Sequence, residues 1–147
     1  MIEIKNKKAY FDYTILESIE AGISLVGTEI KSIRKGSVDL KDTFITIKNN
    51  EAFILNMYIA KYEEGNIFNH DERRTRKLLL HKKEIQKLKE KVSTEGLTLI
   101  PLKLYFHKNH VKVLVGLCKG KKLYDKRQDM KAKDAKRDIE KAMKEMY

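Results

Sequence analysis

Residues 97–117 read LTLIPLKLYF-HKNH-VKVLVGL and contain the pattern that decides the fold. Two apolar runs, 97–106 and 111–117, flank the polar segment 107–110, which is typical of two antiparallel strands joined by a turn. A second hairpin is predicted upstream, where apolar runs at 44–48 and 52–59 flank Asn49, Asn50 and Glu51. We therefore expect a protein that is mainly β and built from antiparallel hairpins.

The remaining elements are one strand and two short helices. Alternating apolar positions predict a strand over 9–19, and helical spacing after Gly22 predicts a helix with Thr28 as its cap and Gly36 as its end. Residues 82–93 predict a helix that begins near His81 and ends at Gly96, whereas 61–76 read as a surface loop. About five strands with two helices favour a small antiparallel OB-type barrel, because a closed sheet satisfies its own edges.

Positive charge is concentrated in two blocks. The chain of 147 residues has a formal net charge of +11 and a pI of about 9.6. Residues 1–69 have a net charge of −1, whereas 70–91 and 119–133 each have +5. One charged run can be simply a solvated face, but two blocks on a neutral body indicate a polyanionic partner, with nucleic acid as the first candidate.

The second block opens a tail that differs from the body. We predict a barrel over 1–118 and a basic tail over 119–147, whose first half has too little apolar content to form a core. The tail is expected to be disordered when free. Apolar residues at three- and four-residue steps from Ala132 to Met146 allow a helix that folds on a partner. Tyr124 lies among cations, which suits stacking against bases.

The sequence also predicts the compartment. No apolar stretch approaches the roughly 20 residues that a membrane span needs, and residues 1–8 lack the apolar stretch of a signal peptide. The single cysteine, Cys118, cannot form an internal disulfide. We therefore expect a cytoplasmic protein with no membrane partner.

Candidate catalytic and metal-binding residues are few. His107, His110 and Cys118 are close in sequence, but their spacing matches no four-ligand zinc pattern. His70 and Asp71 suggest a nuclease as an alternative, but no second carboxylate cluster or phosphate-binding glycine loop accompanies them. We expect no metal, no cofactor and no catalytic residue.

Short motifs along the chain resemble those of one family. They are EAG (20–22), GTEIKS (27–32), LKD (40–42), FNHD (68–71), RKLLL (76–80), PLKLY (101–105), KGKK (119–122) and DKR (125–127). In this order they resemble the SsrA-binding protein, or small protein B, family of bacterial trans-translation. The similarity runs from about residue 6 to the C-terminus.

This resemblance implies an RNA-binding adaptor, not an enzyme, with an OB-type barrel. It would bind the tRNA-like domain of transfer-messenger RNA and deliver it to stalled ribosomes. Elongation factor Tu and alanyl-tRNA synthetase would join through the RNA complex. The tail would enter the decoding centre of the small subunit and the empty mRNA channel. The implied RNA-binding residues of the barrel are Glu20, Gly22, Arg76, Lys77, Leu79 and Lys112, and those of the tail are Lys119, Gly120, Lys121, Lys122, Tyr124, Asp125, Lys126 and Arg127.

One departure from the family pattern affects the second hairpin. His110 follows Asn109 where a glycine is usual, which disfavours a tight type I′ turn. The alternative function that the residues leave open is a generic single-stranded RNA-binding or ribosome-associated structural protein, with the tail as a nonspecific electrostatic arm.

Overall fold

Antiparallel strands close into a barrel in the computed structural model, which describes residues 3–63 and 69–121. The main sheet has the order β1-β8-β4-β5-β7-β2-β9, and β8 also pairs with β9, so every strand of this sheet except β1 belongs to a closed ring. The predicted small antiparallel barrel is confirmed. The elements are β1 (Glu3–Lys5), α1 (Lys7–Asp12), β2 (Tyr13–Ile23), α2 (Gly27–Arg34), β3 (Val38–Asp39), β4 (Phe44–Lys48), β5 (Glu51–Leu55), β6 (Tyr58–Ile59), β7 (Arg76–Leu79), α3 (Lys82–Glu95), β8 (Thr98–His107) and β9 (His110–Gly120).

Both predicted hairpins form. In the β8–β9 hairpin, His107 pairs with His110, and the two turn residues Lys108 and Asn109 have φ of 49° and 67°. Positive φ at both central positions is the requirement of a type I′ turn. The expectation that the missing glycine at position 110 disfavours this tight turn is therefore wrong, because His110 is the first residue of β9 and the left-handed positions are Lys108 and Asn109. Asn49 and Asn50 form the same kind of two-residue turn between β4 and β5, with φ of 53° and 60°.

Helix α3 closes the open side of β2. β2 pairs with β7 only at Gly22 and Ile23, so most of that edge needs another cover. Ile85 and Leu88 of α3 are buried, and Lys87 and Lys91 reach Glu17 of β2 at 2.9 and 2.6 Å. The helix ends at Gly96, whose φ of 65° is left-handed, as predicted.

Helix α1 replaces the first part of the strand predicted over 9–19. The side chain of Asn6 accepts a hydrogen bond from the Ala9 amide at 3.2 Å and donates to the Pro101 carbonyl at 2.9 Å, so it caps the helix and fixes it to β8. Residues 9–12 are helical, and Ala9 packs into a small second core with Leu102. The first residues of the alternating apolar pattern are therefore helical, because tertiary contacts hold α1 in place.

Helix α2 ends at the predicted position but is capped differently. Gly36 has φ of 75° just after the helix, as expected for a stop signal. The cap position is Val26, not Thr28, and the Glu29 carboxylate accepts the Val26 amide at 2.9 Å. Thr28 lies inside the first turn. Strand β7 is not predicted from the sequence, because its four residues adjoin the arginine-rich segment that reads as a loop.

The end of β9 bears on the predicted tail. Lys119 and Gly120 pair with Thr14 and Tyr13 of β2, so the first two residues of the predicted tail belong to the barrel. Lys121 continues the contact through its amide, which donates to the Asp12 carbonyl at 3.0 Å. Lys122, Tyr124, Asp125, Lys126, Arg127 and the predicted terminal helix lie outside the described residues. Within the described part of the chain, no helix has the length and apolar character to cross a membrane.

Candidate nucleic-acid interface

The predicted barrel residues form a row across neighbouring strands. Leu79 of β7 is opposite Gly22 of β2, Gly22 is opposite Lys112 of β9, and Lys112 is opposite Tyr105 of β8. Glu20 is two residues before Gly22 and therefore faces the same side of β2. Residues that are far apart in the chain are in this way brought onto one outer surface.

This surface is the floor of an open groove of about 800 Å³. Five of the six predicted RNA-binding residues of the barrel line it, namely Glu20, Gly22, Lys77, Leu79 and Lys112. The walls come from the β4–β5 turn and from the start of α3, including Asn49, Asn50, His81, Lys82 and Gln86. No sequence motif assigns a role to these wall residues, although the Asn49-Asn50 turn and the start of α3 are both predicted elements.

Leu79 gives the groove an apolar contact point. Its side chain is 55% exposed, which is unusual for a leucine in a strand of a closed barrel. It lies over Gly22, where an added Cβ would be only 3.1 Å from the Leu79 Cβ. Glycine at position 22 therefore leaves the space in which Leu79 sits, and the exposed leucine offers a surface for a base or a ribose ring.

The charges of the groove are separated. Lys77 is exposed and pairs with Glu51 at 3.2 Å, an ion pair that solvent weakens. Lys112 makes no ion pair with any residue of the described segments. Glu20 accepts a hydrogen bond from the Tyr105 hydroxyl at 2.5 Å. The Lys112 ammonium is thus left available for a phosphate.

The predicted RNA contact of Arg76 is not supported by its position. Its side chain is fully buried and donates to the Glu29 carboxylate, to the Met57 carbonyl at 2.7 Å and to the carbonyls of Asp71 and Glu72 at 3.4 and 3.3 Å. In a strand, successive side chains point to opposite faces, so Arg76 points inward where Lys77 points outward. Arg76 is a structural residue that ties β7 to α2 and to the segment before it.

Glu29 completes this buried network. Burial alone would raise the pKa of its carboxyl, but hydrogen bonds from Arg74, from the Val26 amide and from Arg76 lower that pKa below its ordinary value. Burial lowers the pKa of Arg76, which its bond with Glu29 partly opposes. Two of the three arginines of the basic middle block thus neutralise a buried acid, and they add less to the surface potential than the charge count implies.

The candidate nuclease residue His70 has a structural role. It is buried, and its ring nitrogens lie 2.9 Å from the Ile59 carbonyl and 2.8 Å from the Thr28 hydroxyl. Because a carbonyl only accepts, Nε2 carries the proton and Nδ1 accepts from Thr28. Both nitrogens are therefore occupied by bonds that hold α2 against β6.

The histidines of the β8–β9 turn and Cys118 do not come together. Cys118 is buried near the opposite end of β9, and burial raises the pKa of its thiol to about 11. His107 and His110 are exposed at the turn. Among the residues that the structure describes, no group of three or more histidine, cysteine or acidic side chains could hold a metal ion.

The fold is a closed antiparallel barrel of the OB class. Within the residues that the structure describes, its groove combines the unpaired Lys112, the exposed Leu79 and the Glu20 carboxylate that Tyr105 holds. Together these features define the class of the protein as an RNA-binding protein of the OB class. Comparison with known proteins is more specific. The SmpB protein family model matches residues 3–145. The SsrA-binding proteins of Staphylococcus epidermidis and Carboxydothermus hydrogenoformans are 59% and 57% identical over 143 residues, which is 97% of this chain and 92% and 96% of theirs.

A solved structure described as "tmRNA-SmpB: a journey to the center of the bacterial ribosome" has a similar fold. Its TM-score is 0.69 at 51% identity, and the match covers 82% of this chain and 85% of that one. The chain belongs to the SsrA-binding protein (SmpB) family, and the resemblance seen in the motifs is confirmed.

Proposed function

We propose that this protein is the adaptor that binds transfer-messenger RNA and delivers it to stalled ribosomes for trans-translation. The observation that carries the proposal is the match to the SmpB family along nearly the whole chain. The groove supports it, because five residues expected to bind the RNA lie together there. The tRNA-like domain of transfer-messenger RNA is the ligand of this groove.

The groove residues supply complementary contacts. Lys77 and Lys112 bind phosphates, which accounts for affinity but carries little sequence information. Leu79 packs against a base or ribose that has left the helical stack. Glu20 repels phosphate and instead accepts a hydrogen bond from the RNA. A groove with all three contacts selects a folded RNA of a particular shape over a uniform polyanion.

The tail acts in the second step of the same function. Residues 119–133 have a net charge of +5, and the first two of them, Lys119 and Gly120, are the end of β9, where they pair with Thr14 and Tyr13 of β2. We assign it to the decoding centre and the empty mRNA channel, where ordering is favourable because phosphates are within reach. A channel that is filled with intact message excludes the tail.

Other partners act through the RNA. We assign elongation factor Tu and alanyl-tRNA synthetase to the same complex in the cytoplasm, where they would join through the transfer-messenger RNA. The protein itself performs no chemistry. The buried position of His70 supports this part of the proposal, because a nuclease built on that ring would need it exposed.

A competition experiment separates this function from that of a generic RNA-binding protein. The full chain is bound to a transcribed tRNA-like domain of transfer-messenger RNA and challenged with unrelated tRNA and with a homopolymer. The adaptor keeps its ligand against both, whereas a generic binder releases it to each competitor in proportion to phosphate concentration. Equal competition by the homopolymer would contradict the proposal.

Removing residues 122–147 tests whether the barrel binds the RNA and the tail acts on the ribosome. This boundary keeps Lys121, whose amide is bonded to Asp12. The shortened chain should keep most of its affinity for transfer-messenger RNA and lose peptide tagging on ribosomes stalled at a message without a stop codon. Loss of RNA affinity to background would show that the barrel is not the RNA-binding part.

A further inference from the structure

The Tyr105 hydroxyl contacts one of the groove residues, Glu20, in a way that the functions above do not use. It donates to Oε2 of Glu20 at 2.5 Å, within the short range of hydrogen bonds to an ionised acceptor. Tyr105 lies in β8 and Glu20 in β2, and β9 runs between these strands. The bond therefore passes over β9, beside Lys112.

The hydrogen bond from Tyr105 keeps the Glu20 carboxylate apart from the Lys112 ammonium. Lys112 is opposite both Gly22 and Tyr105 in the strand register, so it is the cation nearest in register to Glu20. In the described residues Glu20 bonds to the tyrosine and forms no ion pair with Lys112. The tyrosine thus occupies one oxygen of the carboxylate and leaves the ammonium unpaired.

The second oxygen of Glu20, Oε1, accepts no hydrogen bond from the residues that the structure describes. A carboxylate at an RNA surface cannot contact a phosphate favourably, and its partners are hydrogen-bond donors. RNA offers neutral donors in base amino and imino groups and in the 2′-hydroxyl. Tyr105 remains a donor throughout the physiological range, because burial and the bond with Glu20 raise its pKa to about 12.

We infer that Tyr105 is a positioning residue that fixes the Glu20 carboxylate for a neutral hydrogen-bond donor of the bound RNA and keeps Lys112 free for phosphate. The inference rests on the proposed RNA-binding function and adds a specificity-determining residue to it. A flexible glutamate would lose rotamer freedom on binding, and it would also be drawn towards Lys112. Holding it in advance removes both costs.

The test is Tyr105→Phe in the full chain, which deletes the hydroxyl and keeps the ring. Affinity for the tRNA-like domain should fall by about 3- to 10-fold, the usual effect of freeing one side chain at an interface. The slope of affinity against salt should change by less than in Lys112→Ala, where it should fall by about 0.7–0.9, because the Lys112 ammonium is kept in Tyr105→Phe and is only partly diverted to the freed Glu20. An unchanged affinity in Tyr105→Phe would overturn the inference.

A double mutant separates positioning from a structural role. In a Glu20→Ala background, Tyr105→Phe should change the affinity by less than about 2-fold, since no carboxylate remains to be held. In a Lys112→Ala background it should keep the part of its effect that comes from positioning Glu20 and lose only the part that comes from a new Glu20–Lys112 ion pair. An equal loss in the wild-type and Glu20→Ala backgrounds would show that the hydroxyl acts through the fold and would overturn the inference.

The chain contains a matched control. Tyr58 is also a tyrosine whose pKa is raised by a neighbouring glutamate, Glu72, but neither Tyr58 nor Glu72 lines the groove. Tyr58→Phe should leave RNA affinity unchanged. If the wild-type chain shows no preference for the tRNA-like domain, the proposed function fails, whereas a preference that Tyr105→Phe leaves intact rejects only the role of Tyr105.

RNA variants identify the donor. Inosine in place of guanosine removes the 2-amino groups, and 2′-deoxy nucleotides remove the hydroxyls. The RNA that lacks the donor should bind the wild type more weakly than the parent RNA does. It should also bind the wild type and Tyr105→Phe with equal affinity. If Tyr105→Phe weakens both altered RNAs and the parent RNA equally, Glu20 reads neither of these groups, and a donor role restricted to them is rejected.

Discussion

Replacing the neighbouring residues Arg76 and Lys77 by methionine should damage two different properties of the protein. Arg76 is buried in the ion pair with Glu29, whereas Lys77 is exposed in the groove. We expect Arg76→Met to reduce the free energy of unfolding and Lys77→Met to weaken RNA binding. The two substitutions remove the same charge one position apart, so net charge alone predicts the same result for both.

The magnitude for Arg76 follows from its contacts. Removing one partner of a buried ion pair costs about 3–5 kcal/mol, because the other charge stays buried. Glu29 would keep Arg74 and the Val26 amide, which favours the lower end, but the Met57 carbonyl would also lose its donor, at about 1–3 kcal/mol. We expect a loss of about 4 kcal/mol, a large share of the roughly 5–15 kcal/mol that stabilises a domain.

Urea unfolding and RNA titration at several salt concentrations measure the two effects. Lys77→Met should change stability by no more than about 1 kcal/mol, because its pair with Glu51 is at the surface. It should lower the slope of affinity against salt by about 0.7–0.9, and Arg76→Met should leave the slope of the folded protein unchanged. The reasoning is refuted if Arg76→Met is as stable as the wild type within about 1 kcal/mol, or if it lowers the slope.

Further substitutions test other contacts. Burial alone would raise the pKa of Glu29, but its hydrogen bonds hold that pKa below the ordinary 4.5. The ionised Glu29 therefore contributes fully to stability above pH 4.5, and this contribution is lost as the pH falls through the folded-state pKa. The urea midpoint should therefore fall less steeply below pH 4.5 in Glu29→Gln than in the wild type. Gly116→Ala would place a Cβ 2.7 Å from Leu102 and should destabilise the barrel by about 1–3 kcal/mol in the same assay, with an unchanged salt slope for RNA. Gly22→Ala would displace Leu79 and should weaken binding of the tRNA-like domain by about 1 kcal/mol or more, as measured by titration.

Gly27→Ala is the control for the glycine substitutions. Nothing lies within 4 Å of a Cβ at that position, and its φ is not in the left-handed region. Stability and RNA affinity should both stay close to wild type. Unchanged affinity in Gly22→Ala would remove Leu79 from the interface, and unchanged stability in Gly116→Ala would show that Leu102 can move aside.

The elements that sequence predicts well are those with local signals. Both hairpins and α3 follow from apolar runs separated by turn residues, and Gly36 and Gly96 mark helix ends because left-handed φ suits glycine. The barrel class follows from these elements together. Helix α1 and strand β7 lack such signals, because α1 is held by Asn6 against the distant Pro101 carbonyl and β7 is four residues long.

Family motifs predict the site, and burial argues against one of its residues, Arg76. Segment charge treats every arginine of the middle block as exposed, whereas Arg76 is neutralised by Glu29, which is 47 positions away. The role inferred for Tyr105 depends on a hydrogen bond to Glu20 across 85 positions, which no periodicity in the sequence records. Contacts of this range become visible only when the strand order is known.

Sequencing the RNA that is captured by the full chain from a bacterial lysate tests the central claim most directly. The wild type and a triple variant, Glu20→Ala, Leu79→Ala and Lys112→Ala, are compared at equal amounts of folded protein. Transfer-messenger RNA should be the dominant RNA bound by the wild type and should fall to background with the triple variant. Equal recovery by both proteins, or a wild-type pool that mirrors the RNA of the lysate, would contradict recognition of transfer-messenger RNA by the groove.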